Sequence, residues 1–191
     1  MTRGREPLGL IQSWPGEVLG ADQPVQPWLV AHVRPRQEKL LASAMRRRAL
    51  PGALFLRQHV RIYPGKGRQV SLMPLIPGYL FMVDAPEARE ALYDSGRIVR
   101  LLTAPRPEEL HRDLLDLAAL LAGAPEQVEV RPEIVPGLRV VLQYGSMAGC
   151  AGVVVRRQGI YEVVVNVHLL GTAVAVRCNA RDVEAAVELS A

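Results

Sequence analysis

The chain has 191 residues, 49% of them apolar and 22% charged, enough to bury the core of one domain of ordinary size or of two small ones. Its net charge of +4 is carried almost entirely by arginine, since lysine occurs only at Lys39 and Lys66. No segment has the apolar length of a membrane span or a signal-peptide core, which argues against secreted and membrane classes and predicts a cytoplasmic protein.

In chain order, residues 1–26 are rich in proline and glycine and lack periodicity, so they are expected to form a flexible tail. Residues 27–122 are expected to form a first domain. Trp28–Val33 is a short apolar run with the weight of a strand. It is followed by RPRQEKLLASAMRRRAL, where Leu40, Leu41, Ala44 and Met45 recur at helical spacing. Pro35 suits the first turn of that helix, and Pro51-Gly52 ends it. ALFLRQHVRIY and RQVSLM read as two strands joined by Pro64-Gly65-Lys66-Gly67, a hairpin signal. A strand from Gly78 to Val83 comes next, then a short helix from Pro86 to Gly96, a strand in RIVRLL, and an amphipathic helix with Leu110, Leu114, Leu117 and Leu121 along one stripe.

After that helix the texture changes. Residues 123–135 carry prolines and acids and read as a linker. From residue 136 to 191, Val-rich runs separated by Gly-containing turns predict a small five-stranded β module. The fold class is therefore α+β: a mostly antiparallel sheet packed with helices, followed by a small β-barrel.

Catalytic chemistry has no constellation to rest on. His32, His59, His111 and His168 stand at no metal-ligand or triad spacing, and Cys150 and Cys178 form no CxxC, so neither an enzyme nor a cofactor or metal is expected. Two thiols in a reducing cytoplasm is the reading favoured over a disulfide. YGSMAGCAG lacks the Lys-Ser/Thr of a phosphate loop and leads into a strand. Charge is more informative. From Arg34 to Arg68 basic residues face a single acid, Glu38, which suits a nucleic-acid partner or, equally, a solvated basic face. The run Tyr79-Leu80-Phe81-Met82-Val83 has no polar residue, so both faces of that strand are covered, by the domain's core or by a partner.

WLVAHVRPRQEKLLASAMRRR, a basic hairpin, PLIPGYLFMVD and GRIVRLL with RPEEL resemble, in that order, the N-terminal (NGN) domain of the NusG family of transcription elongation factors. PGLRVVLQYGSMAGCAGVVVRR and YEVVVNVHLLGTAVAVRC resemble that family's C-terminal KOW domain, an SH3-like β-barrel. The resemblance covers roughly residues 27–187. Leu29 after Trp28, the long N-terminal segment and the arginine-rich helix resemble specialised, antiterminator-type paralogues.

This resemblance implies a monomeric elongation and antitermination factor. It would bind the clamp helices of RNA polymerase through His32, Ile76, Tyr79 and Phe81, and suppress pausing or termination. Arg34, Arg36, Arg47 and Arg48 would meet non-template DNA in the transcription bubble. Arg89 and Glu90 would face the polymerase's second large subunit. Leu169, Leu170 and Thr172 would form the tip that recruits a small-subunit ribosomal protein or Rho. The rival reading is an RNA- or ribosome-binding KOW module that acts independently of polymerase. The valines and glycines of residues 138–178 disfavour any helical alternative for the second domain, so the clamp face is expected to be open.

Overall fold

The computed structural model describes residues 11–20, 25–65, 67–123, 128–131, 135–137, 139–143, 145, 147–157, 159–178 and 187–188. These residues build three helices and two antiparallel sheets. The first sheet contains β1 (Ile11–Trp14), β2 (Trp28–Val33), β3 (Gly52–Tyr63), β4 (Gly67–Pro74), β5 (Tyr79–Val83) and β6 (Ile98–Thr103). Its order is β1-β3-β5-β2-β6, with β4 paired to β3 alone.

Part of the expected tail is structured. Ile11–Trp14 pairs with Gly52–Phe55 of β3, and Trp14 Nε1 donates to the Leu50 carbonyl. Gly52 permits this packing, because a Cβ there would lie 2.7 Å from the Phe81 carbonyl oxygen and 2.9 Å from the Trp14 ring. The rest of the expected tail, residues 1–10 and 21–24, lies outside the described residues.

Helices α1 (Glu38–Arg47) and α2 (Pro86–Asp94) cover one face of this sheet. Leu41, Ala42 and Met45 of α1 and Ala91 and Leu92 of α2 pack there with Leu29, Ala31, Val33, Leu54, Leu56, Leu80 and Met82. The alternation of strand side chains sends Trp28, Val30, Phe55 and Phe81 to the opposite face. α1 starts three residues after Pro35, not at it, because Arg36 takes φ +65 before the chain enters the helix. Glu38, the lone acid of the basic stretch, is buried at the helix start and accepts a 2.8 Å hydrogen bond from the Gly78 amide.

The second sheet runs β12 (Val187–Glu188), β8 (Arg139–Val141), β9 (Ala151–Arg157), β10 (Ile160–Val167), β11 (Thr172–Cys178), β7 (Val128–Arg131). The expected module is thus β throughout its described strands and has one strand more than anticipated. β7 falls in the stretch expected to be linker: Val128–Arg131 pairs with Ala173–Val176 and hands its main-chain groups to β11. The other linker residues 124–127 and 132–134 lie outside the described residues.

Helix α3 (Pro107–Gly123) stands between the sheets. At 100° per residue, its buried positions sweep from Leu120 and Asp113 through Leu117, Leu110 and Leu114 to His111, an arc of about half the circumference. One edge of the arc meets β2, where Trp28 Nε1 donates to His111 Nδ1 at 2.9 Å. The other meets the second sheet: the His168 amide donates to Asp113 at 2.9 Å, and Arg139 pairs with Asp116. A single apolar cluster therefore runs from Phe55 and Phe81 through the α3 leucines to Val163, Val165 and Val174.

Candidate partner-binding rim and basic end

β2 and β3 point the same way because each pairs antiparallel with β5. Consequently one end of the first sheet gathers the end of β2, the β3–β4 hairpin and the starts of β5 and β6. His32 and Tyr79 are direct partners across β2 and β5, and their rings stack with centroids 5.2 Å apart. Both are half-buried, and His32 Nδ1 has no hydrogen-bond partner among the described residues. The Pro77–Gly78 turn fixes their position: Gly78 (φ +84) accepts from the Val33 amide at 2.7 Å and donates to Glu38.

The four residues assigned to a clamp surface do not form one exposed patch. Tyr79 and Phe81 share a face, as alternation requires, but Phe81 is 2% and Ile76 6% exposed. Phe81 meets Phe55 edge-on at 5.6 Å, in the cluster that α3 joins. The expectation of an open clamp face is therefore corrected for these two residues: α3 packs on that face, leaving His32 and Tyr79 as its rim.

The arginines assigned to nucleic acid separate into two groups. Arg34 and Arg36 are exposed at the start of α1, beside Arg97, which hydrogen-bonds Gln37, and Arg100, which pairs with His32 across β2 and β6. Arg47 and Arg48 are exposed at the other end of α1, about 15 Å away at 1.5 Å per residue, and Arg47 donates to Ser43. They cannot serve one short contact together with Arg34 and Arg36.

Arg89 and Glu90 lie on α2. Arg89 is held by Asp84 through a two-pronged pair at 2.6 and 2.5 Å, whereas Glu90 is exposed. The Asp84 contact raises the Arg89 pKa. Leu169 and Leu170 occupy a 3-10 turn, His168–Leu170, closed by Gly171 at φ +59, with Thr172 Oγ1 donating to the Leu170 carbonyl. This turn docks on α3, and both leucines are half-buried against the central cluster.

Three groups to which sequence reasoning gave no site role organise the region: Glu38, Arg97 and Asp113. Burial pushes the Asp113 carboxyl upward against the opposing hydrogen bonds from His168, and burial pushes the His111 imidazole downward. Burial also raises the Cys150 thiol. Among the described residues, no group of three or more His, Cys, Asp or Glu side chains could hold a metal, and no helix is long and apolar enough to cross a membrane.

No protein-family model and no curated protein matches this sequence. Among solved structures, the chain is similar to one of domain interaction in Thermotoga maritima NusG, with 17% identity, a TM-score of 0.41, and coverage of 82% of this chain and 95% of that one. It is also similar to an MjSpt4:Spt5 complex, with 16% identity, a TM-score of 0.27, and coverage of 85% and 98% respectively. No family membership follows from similarity at this level.

Proposed function

We propose that this protein is a non-enzymatic transcription elongation factor of the NusG type, which rides on RNA polymerase and suppresses pausing or termination. The observation that carries this reading is the His32–Tyr79 stack. It is a half-buried aromatic pair set on adjacent antiparallel strands at the basic end of the sheet. Aromatic anchors of this kind supply contact area at small entropic cost and carry most of the energy of many interfaces.

In this reading the polymerase clamp helices meet the rim at His32 and Tyr79, with Ile76 and Phe81 supporting the rim from below. Arg34 and Arg36 face exposed non-template DNA, where the forked guanidinium suits phosphates and splayed bases. Arg47 and Arg48, at the far end of α1, serve a separate stretch of nucleic acid. Glu90 offers the charge for a second polymerase contact, since Arg89 is already paired. The turn at Leu169, Leu170 and Thr172 is the docking point for a ribosomal or termination partner.

The test is capture of RNA polymerase from nuclease-treated extract by the full chain and by a His32→Ala/Tyr79→Ser variant. Loss of at least tenfold in capture, with unchanged thermal unfolding, is expected. Undiminished capture by the variant would refute the rim as the polymerase contact.

A further inference from the structure

Beyond Leu56, β3 leaves the body of the sheet. Its pairing with β1 and β5 ends by Phe55, and from there to Tyr63 its sole partner among the described residues is β4. The result is a two-stranded ribbon, about 23 Å long for the seven residues from Arg57 to Tyr63. Most of it is exposed, Ile62 to 80%, with Arg57 and His59 half-buried. A projecting ribbon with no third strand is marginal on its own account, so its side chains call for an explanation other than core building.

Those side chains differ by face. Register places Arg57, His59 and Arg61 opposite Met73, Ser71 and Gln69, and residues directly opposite share a face. This is the side to which Phe55 belongs. Nearly every position on it can hydrogen-bond, and Arg61 Nε donates to His59 Nε2 at 3.2 Å. Arg57 Nε is buried without a partner among the described residues. The other face carries Gln58, Leu72, Val60, Val70 and Ile62 and offers Arg68 near the tip. No acid occurs anywhere from Lys39 to Val83, so nothing along the ribbon neutralises its arginines.

We infer that the β3–β4 ribbon is a duplex-DNA-binding arm that lays its Arg57–His59–Arg61 face into the major groove. The B-form major groove, about 12 Å wide, admits a two-stranded ribbon, and arginine, glutamine, serine and histidine are the side chains that address base edges and flanking phosphates there. Single strands are bound chiefly by stacking on aromatic side chains, and this face offers just His59 and, at its tip, Tyr63. Duplex RNA presents a deep, narrow major groove that such a ribbon cannot enter. This inference goes beyond the elongation-factor reading, since the arm binds free duplex without polymerase.

The experiment is fluorescence anisotropy of the full chain with a labelled 20-base-pair DNA duplex, in the absence of polymerase, between 50 and 200 mM salt. Arg57→Gln/Arg61→Gln is compared with the charge-matched Arg106→Gln/Arg112→Gln, on α3 and the turn before it. At about 0.9 in log–log slope per phosphate neutralised, loss of two contacts flattens the salt dependence by about 1.8, so across this fourfold salt range the wild type loses about twelvefold more affinity than the arm variant. The arm variant should bind at least tenfold more weakly at 50 mM salt, and the α3 variant within twofold of wild type. A dye that fills the major groove should displace the protein, and one that fills the minor groove should not. Equal binding by the arm variant, displacement by the minor-groove dye alone, or competition by single-stranded DNA or duplex RNA as strong as by duplex DNA would each overturn the assignment. Circular dichroism of both variants checks the fold, and Arg57→Lys/Arg61→Lys should restore the salt slope. Because polymerase is absent, failure here leaves the rim reading standing, and failure of the rim leaves this one standing.

Discussion

Leu117 is fully buried in the middle of the α3 arc, within the cluster that contains both Phe81 and Val165. Replacing it with alanine removes buried carbons and leaves a cavity that two rigid sheets cannot easily close. Such truncations cost about 2–5 kcal/mol. With a urea dependence of about 2 kcal/mol per molar, the unfolding midpoint should fall by roughly 1–2.5 M. Each half carries its own reporter. Fluorescence of Trp14 and Trp28 follows the first sheet, and reaction of the buried Cys150 with a thiol reagent, in a Cys178→Ser background, follows the second. If α3 joins both sheets into one cooperative core, the two transitions coincide in the wild type and shift together in Leu117→Ala. Separate transitions, with the Cys150 midpoint unmoved by the mutation, would refute the continuous cluster.

The His111–Trp28 hydrogen bond requires a neutral imidazole, and burial holds the His111 pKa below its usual 6.5. A histidine depressed in the folded state contributes stability above the unfolded pKa and loses it as pH falls through the folded value. Stability to urea should therefore decline below about pH 6.5. His111→Asn, which keeps an acceptor near the Nδ1 position, should flatten that decline. Asp113 has the opposite sign, its raised pKa favouring the protonated folded state, and it is common to both proteins. An identical pH profile in the two would refute the role of His111. Gly52→Ala would drive a Cβ to 2.6 Å from the Met82 sulfur and 2.7 Å from a backbone oxygen. A cost of about 1–3 kcal/mol is expected, a fall of about 2–10 °C in Tm with increased solvent exposure of Trp14, and an unchanged Tm would count against the packing of β1.

Element order from β2 to α3 was legible because its signals are local: a Pro-Gly-Lys-Gly hairpin, prolines at helix starts and period-2 apolar runs. What escaped was set by tertiary pairing. Ile11–Trp14 is short and flanked by glycine and proline, and only the Gly52 gap in the sheet makes room for it. Val128–Arg131 does alternate apolar and charged residues, a strand signal that its proline-rich surroundings obscured, and its charges are absorbed in part by the 2.6 Å Arg131–Glu162 pair. Asp113 and Asp116 lie off the leucine stripe of α3, and neither is exposed in the fold. They mark the edge that meets His168 and Arg139, so the helix has two partners where a leucine stripe announces one.

The candidate site shows where a pattern stops being informative. Alternation states which side of a strand a residue takes, and it placed Tyr79 and Phe81 together. It does not state how far the covering helix reaches. The two residues are separated by only about 7 Å along the strand, yet one is a rim residue and the other is core. That difference bears on how a partner could engage. Exposing the Phe81 face by lifting α3 away would unbury Leu110, Leu114, Leu117, Leu120 and Leu121. At about 1.5–3 kcal/mol for each side chain, the cost is on the order of 8–15 kcal/mol, as large as or larger than the roughly 8 kcal/mol of a micromolar complex. A partner that had to displace α3 would spend its whole affinity doing so. Contact at His32 and Tyr79 needs no such displacement, which makes the rim, and not the buried phenylalanine, the place where substitutions should separate binding from folding.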